Sequence, residues 1–202
     1  MKAADTVRPA HTGDIQQLGE ILGDAFCKDP GFNWAIPHPP LYPRFFSLIS
    51  RQLYLPHNEV YIDRENRGAA LWLPPGVSGD LPISLAQMGL FARLVLKRGP
   101  GTIKRALQAQ ATMARYHPRE PHYYLHAIGA CSRFHGQGVG SALLKTSLMK
   151  CDWEGVPAYL EASTEDNARL YQRHGFETFA EDVLGPGGPL LRFMWREPRE
   201  VS

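Results

Sequence analysis

Residues 123–145 read YYLHAIGACSRFHGQGVGSALLK, and the architecture is decided here. The stretch opens on an apolar, aromatic run from Tyr123 to Ile128, the composition of a buried strand. A polar link follows, with Gly136, Gly138 and Gly140 at alternate positions. An amphipathic helix then starts at SALLK, with Val139, Leu143, Leu144, Leu148 and Met149 as its apolar stripe. Strand, glycine turn and helix start, in that order, make an anion site. The first N–H groups of a helix lack internal partners, and the helix dipole places partial positive charge there. Glycines let the backbone itself close on a phosphate.

The spacing narrows the ligand. A Rossmann turn needs G-x-G-x-x-G, and the run from Gly136 to Gly140 is one residue short. A Walker loop needs Gly-Lys-Ser/Thr, and no lysine follows the glycines before Lys145. A tight strand–helix turn with no ligand is the plain alternative.

Working outward, 202 residues suit one domain with a proper core, and 44% hydrophobic with 21% charged residues is ordinary for a globular chain. A formal net charge of +2 gives no electrostatic case for nucleic acid. Cys27, Cys131 and Cys151 have no C-x-x-C spacing, so neither zinc nor a paired disulfide set is expected, and reduced thiols suit a cytoplasm. No metal is expected. The N-terminus has no apolar leader and no long apolar run occurs, so no membrane partner is expected either.

Along the chain, Thr6 to Arg8 is a short strand. Thr12 caps a helix whose face is Ile15, Leu18, Ile21, Leu22, Ala25 and Phe26. Lys28-Asp29-Pro30-Gly31 ends that helix, and residues 32–43 read as an aromatic, proline-rich loop in which Phe32 and Trp34 either plug the core or line a substrate pocket. Phe45 to Leu55 reads as a second helix. Two strands, residues 59–63 and 68–73, form a hairpin. Residues 77–121 are a helical insertion, with one helix from Leu81 to Lys97 and another from Thr102 to about Tyr116. Near the break between them Lys97, Arg98, Lys104 and Arg105 form a basic group, read as a solvated face. After the glycine turn come a strand at residues 156–162, a helix capped by Thr164 and closed by Gly175, and a final hairpin. Strands alternating with helices predict a mixed α/β (α+β) sheet.

The segment His135-Gly136-Gln137-Gly138-Val139-Gly140 resembles the pyrophosphate loop Q/R-x-x-G-x-G/A of the GNAT N-acetyltransferase superfamily, with His135 where that motif has Gln or Arg. A second segment, Asn167-Ala168-Arg169-Leu170-Tyr171-Gln172-Arg173-His174-Gly175-Phe176, resembles the other diagnostic stretch of the same superfamily. Within it the chain looks most like the puromycin N-acetyltransferase branch. The resemblance implies one acyl-CoA N-acyltransferase domain over residues 1–202, with a mostly antiparallel, twisted sheet and two splayed central strands, flanked by helices. It implies transfer of acetyl from acetyl-CoA to a primary amine in a ternary complex, in the cytoplasm, by a monomer or homodimer. It also implies roles by position. The main chain of Ile128, Gly129 and Ala130 would pair with pantetheine, and His135, Gly136, Gln137, Gly138, Val139, Gly140 and Ser141 would cradle the pyrophosphate. Asn167 and Tyr171 would complete the cofactor site, with Tyr171 as general acid.

The general base stays open between His126, Glu161 and water. Tyr124 and His126, two apart, share a face of a regular strand, and an imidazole titrating near neutrality suits proton acceptance. A hydrogen-bonded core histidine is the alternative. Glu161, on the second splayed strand, is the rival as base or ammonium ligand, beside Phe32, Trp34 and Tyr124 as substrate-binding residues. Three functions compete: a small-molecule amine acetyltransferase, possible antibiotic inactivation included; an acyl-CoA sensor without turnover; and a lysine or N-terminal protein acetyltransferase.

Overall fold

The computed structural model describes residues 6–79 and 84–200. Residues 80–83 lie outside the described residues, so the helix expected from Leu81 is described from Ser84 onward. In chain order the elements are β1 (Val7–Pro9), α1 (Ile15–Ala25), α2 (Pro30–Ala35), α3 (Tyr42–Ile49), β2 (Val60–Asp63), β3 (Gly68–Leu73), α4 (Leu85–Arg98) and α5 (Gly101–Tyr116). They continue with β4 (Tyr123–Ala130), α6 (Val139–Glu154), β5 (Ala158–Ala162), α7 (Glu165–Arg173), β6 (Glu177–Val183) and β7 (Leu190–Arg196). The seven strands form one sheet in the order β1-β2-β3-β4-β5-β7-β6. Every neighbouring pair is antiparallel except β4 and β5.

Three local readings change. The stretch 32–43 is not simply a loop: α2 starts at Pro30, with the Asp29 side chain accepting from the Phe32 N–H at 2.8 Å. Proline at the first helical position lacks an N–H that would have been unpaired there anyway, so Asp-Pro starts a helix instead of only ending one. Likewise His11, not Thr12, caps the turn before α1, through its Nδ1 and the Gly13 N–H. The second helix begins earlier than Phe45, at Tyr42, and runs into a π turn, Ser50–Tyr54.

Helices cover both faces of the sheet. On one face Leu18 and Leu22 of α1 and Tyr42 and Phe46 of α3 pack on Ile62, Ala69, Leu71 and Ala127. On the other, Leu143, Leu144 and Leu148 of α6 pack on Ala70, Trp72, Tyr123 and Leu125. β4 passes between them with a β-bulge. Leu71 faces Ala127 while Trp72 faces Leu125, leaving His126 without a partner across the ladder. One extra residue reverses the alternation of sides. Tyr123 and Leu125 therefore point into the α6 core, whereas Ala127 points into the α1 and α3 core. β4 is thus not the regular strand expected. Gly129 lies beyond the bulge, where a Cβ would stand 2.4 Å from the Ala25 Cβ, so α1 reaches its position only against bare backbone.

Candidate acyltransferase site

The parallel pair holds for three residues only: Tyr123 with Ala158, Tyr124 with Tyr159 and Leu125 with Leu160. Beyond Leu125 the two strands part, just where His126 bulges. Ile128, Gly129 and Ala130 remain paired to β3 but not to β5, so one edge of their backbone is open between the strands. α6 begins beyond the end of β4. Its first residue follows Gly138, which sits at φ 80°, and no side chain caps it. By contrast α2, α4 and α7 are capped by Asp29, Ser84 and Thr164. The first turn of a sixteen-residue helix therefore presents its unpaired N–H groups to solvent. Gly136, also left-handed at φ 75°, and Gln137 and His135 are exposed in the same loop. The His135 Nε2 lies 3.0 Å from the Ala130 carbonyl, tying the loop to the end of β4. Gln137 Nε2 donates to the Arg133 carbonyl at 3.3 Å. α6 is anchored on α7: a Cβ at Gly140 would meet the Leu170 Cδ2 at 3.3 Å, and Ser141 Oγ lies 2.7 Å from His174 Nε2. Val139 is buried in the core, and Asn167 sits in the first turn of α7, its N–H capped by Thr164 Oγ at 3.2 Å. These donors and this open strand edge suit a pantetheine diphosphate.

Bordering the diverging strands lies a cavity of about 510 Å³. Its walls are apolar: Phe26, Phe32 and Phe45, then Phe91 of α4 and Ile103, Leu107 and Met113 of α5. The polar groups in its lining are Asp29, Gln110, Tyr124, His126, Glu161 and Ser163. Of the expected substrate residues, Phe32, Tyr124 and Glu161 line this cavity together with His126. Trp34 is elsewhere. Its ring lies against the turn between β6 and β7, where a Cβ at Gly185 would stand 2.6 Å from it.

The electrostatics separate the two candidate bases. Glu161 is half-buried on β5, its Oε2 accepting from Tyr124 Oη and its Oε1 from Tyr159 Oη, both at 2.9 Å. Burial raises its carboxyl to about 7, and the two phenol hydrogen bonds hold it from rising further. His126 packs beside the rings of Tyr54 and Tyr124, with centroids 5.3 and 5.7 Å away, and burial alone lowers its imidazole to about 4. Tyr171 is buried on α7 against Phe176. Burial, with the charges of Asp29 and Glu161 nearby, raises its phenol and keeps it protonated.

Several site residues escape a motif reading. Tyr159 lies two before Glu161 on β5, so strand alternation alone would have put it on the same face. Ile103, Ala106, Leu107, Gln110 and Met113 follow helical spacing, which marks a face but not what it covers. Asp29, whose carboxylate also accepts from Ser163 Oγ, is visible in sequence only as the capping partner of Pro30.

A mixed sheet with two parting parallel strands, an uncapped glycine-led helix and a half-buried acid at the fork is an acyltransferase framework. Residues 102–178 match the family model described as an acetyltransferase (GNAT) domain. An uncharacterized N-acetyltransferase of Schizosaccharomyces pombe is 31% identical over 178 residues, covering 81% of this chain and 70% of that protein. The chain belongs to the GNAT acetyltransferases and is an acyltransferase enzyme. Among solved structures, a Corynebacterium glutamicum protein described as histone acetyltransferase HPA2 and related acetyltransferase is 26% identical, with 98% of each chain covered and a TM-score of 0.68. Arylalkylamine N-acetyltransferase 2 from Aedes aegypti shares the fold at 16% identity, covering 96% of this chain and 98% of that one, with a TM-score of 0.64.

Proposed function

We propose that the protein transfers an acetyl group from acetyl-CoA to the primary amine of a small, largely apolar molecule. The observation that carries this reading is the apolar cavity with Glu161 in its lining at the fork of β4 and β5. A half-open, apolar cavity with few polar groups fits a small molecule better than an extended peptide, and the arylalkylamine named for the Aedes structure is an amine of this kind.

When bound, acetyl-CoA supplies a thioester-activated acetyl group. The backbone of Ile128 and Gly129 and the first turn of α6 hold it, while the cavity holds the amine. A primary ammonium must lose a proton before it attacks. Glu161, at about 7, is matched to that proton near neutral pH. His126, at about 4, binds a proton about 10³-fold more weakly, so the base is assigned to Glu161. Tyr171, held protonated, is the donor for the departing sulfur. The two are linked through charge: ionised Glu161 raises the Tyr171 phenol, and neutral Glu161 no longer does. Taking up the amine proton at Glu161 thus makes Tyr171 a better acid.

A thiol-release assay tests the reading, with acetyl-CoA and a panel of arylalkylamines, puromycin, polyamines, aminoglycosides and a lysine peptide. Release with apolar amines is expected. CoA binding by calorimetry without release on any amine supports a sensor instead, and release confined to the peptide supports a protein acetyltransferase.

A further inference from the structure

α4 carries two apolar stripes. One, Leu90 and Leu94 with the polar Gln87 beside them, faces the protein and is buried. The other, Leu85, Met88, Ala92 and Leu96 at spacings of three, four and four, is turned away from it and exposed. Leu85 is 86% exposed and Leu96 84%, which makes them protruding side chains and not partly covered ones. Across the hairpin Ile103 and Leu107 of α5, also exposed, meet Phe91 of α4 at the cavity wall. A helix apolar on opposite faces is ordinarily covered on both.

The charge on the same hairpin is one-sided. From Ser84 to Tyr116 the sequence holds Arg93, Lys97, Arg98, Lys104, Arg105 and Arg115 and no acidic residue. Arg115 pairs with Asp182 at 3.2 Å. Among the described residues none of the other five is in an ion pair. Read along the sequence, these cations are a solvated face; the exposed apolar stripe on the same hairpin changes what the hairpin is able to bind. A second copy of the chain, docking by twofold symmetry, would bring this positive charge against itself. An anionic lipid surface complements both features, burying the leucines at the headgroup boundary and pairing the cations with lipid phosphates.

We infer that the α4–α5 hairpin is a peripheral docking surface for an anionic lipid bilayer. No described helix is long and apolar enough to cross a membrane, so the attachment is interfacial. Phe91, Ile103 and Leu107 of the same hairpin are exposed and also line the cavity, so an amine dissolved in the lipid would meet the cavity near the docked hairpin. The docking itself does not depend on the reaction assigned above.

The test is flotation of the full chain with phosphatidylcholine vesicles, with and without about one-third phosphatidylglycerol. It is run at low salt and again at about 1 M, where screening shrinks to about 3 Å. Binding to anionic vesicles only, weakened by salt, is expected. Lys97→Glu with Lys104→Glu should weaken it roughly 25-fold or more, at about fivefold for each cation removed. Leu85→Ser with Leu96→Ser should weaken it roughly a hundredfold or more. Retained CoA binding by calorimetry confirms that each variant folds; should either fail to fold, the lipid and salt dependence of the unaltered chain decides. Absence of flotation with anionic vesicles overturns the proposal. So does unchanged binding of both folded variants, or a solution dimer that the leucine variant dissociates.

Discussion

Replacing Tyr159 by Phe removes one of the two phenol donors to Glu161 and leaves the ring stacked on Tyr124 in place. The lost bond is made to a charged acceptor, worth about 1.5–3 kcal/mol, which is about 1–2 pH units. Hydrogen bonds to the ionised form hold a carboxyl down, so the variant's Glu161 titrates higher than the unaltered value of about 7. At pH 7 the ionised fraction then falls from about one half to between about one in ten and one in a hundred. kcat/KM at that pH should drop roughly 5–50-fold and recover above about pH 9. The assay is thiol release with one amine across pH 5.5–9.5 (roughly the span in which both forms titrate), expressed as the ratio of variant to unaltered enzyme so that the amine's own titration cancels. A ratio independent of pH would show that Tyr159 does not act through the carboxyl. Absence of any acid limb across that range in the unaltered enzyme would remove Glu161 as the base and move it to His126.

Glu161→Gln should lower kcat roughly 10²-fold or more, and it should also stabilise the fold at high pH. The folded carboxyl is raised from 4.5 to about 7, so burying its charge costs stability as pH rises through that window, by about 3 kcal/mol at its end. Melting curves at pH 5 and pH 8 (roughly the two ends of that window) should therefore diverge in favour of the variant only at the higher value. Asp152→Ala should destabilise by about 3–5 kcal/mol in a denaturant titration, because Arg196, 3% exposed, loses both carboxylate bonds of 2.7 and 2.8 Å. Gly138→Ala forces a side chain into a left-handed position at φ 80°, and CoA affinity by calorimetry should fall about fivefold or more. Ala106→Phe, set in the cavity wall, should raise KM for an arylalkylamine about tenfold while leaving methylamine little changed; equal effects on both would show that the amine binds elsewhere.

Much of this molecule follows from its sequence because the determinants are local. Gly136, Gly138 and Gly140 before an apolar helical stripe need nothing from the rest of the chain to make an uncapped helix start. The alternation of strands and helices set the mixed sheet, and Thr164 and Gly175 bracketed α7. What sequence did not determine depends on groups distant along the chain. The bulge at His126 exists because β3 pairs with β4 in a shifted register, and it reverses which residues of β4 face which core. The depressed basicity of His126 and the raised carboxyl of Glu161 come from burial, which no residue type declares. Glu161 meets Tyr124 only because β4 and β5, some thirty residues apart, run parallel for three pairs and then part. Trp34 and Phe32 are nearly adjacent in sequence, yet α2 turns one to the β6–β7 turn and the other into the cavity. Local chemistry therefore marks the glycine turn and the uncapped helix start, whereas desolvation and long-range register set the carboxyl of Glu161 and the shape of the cavity beside it.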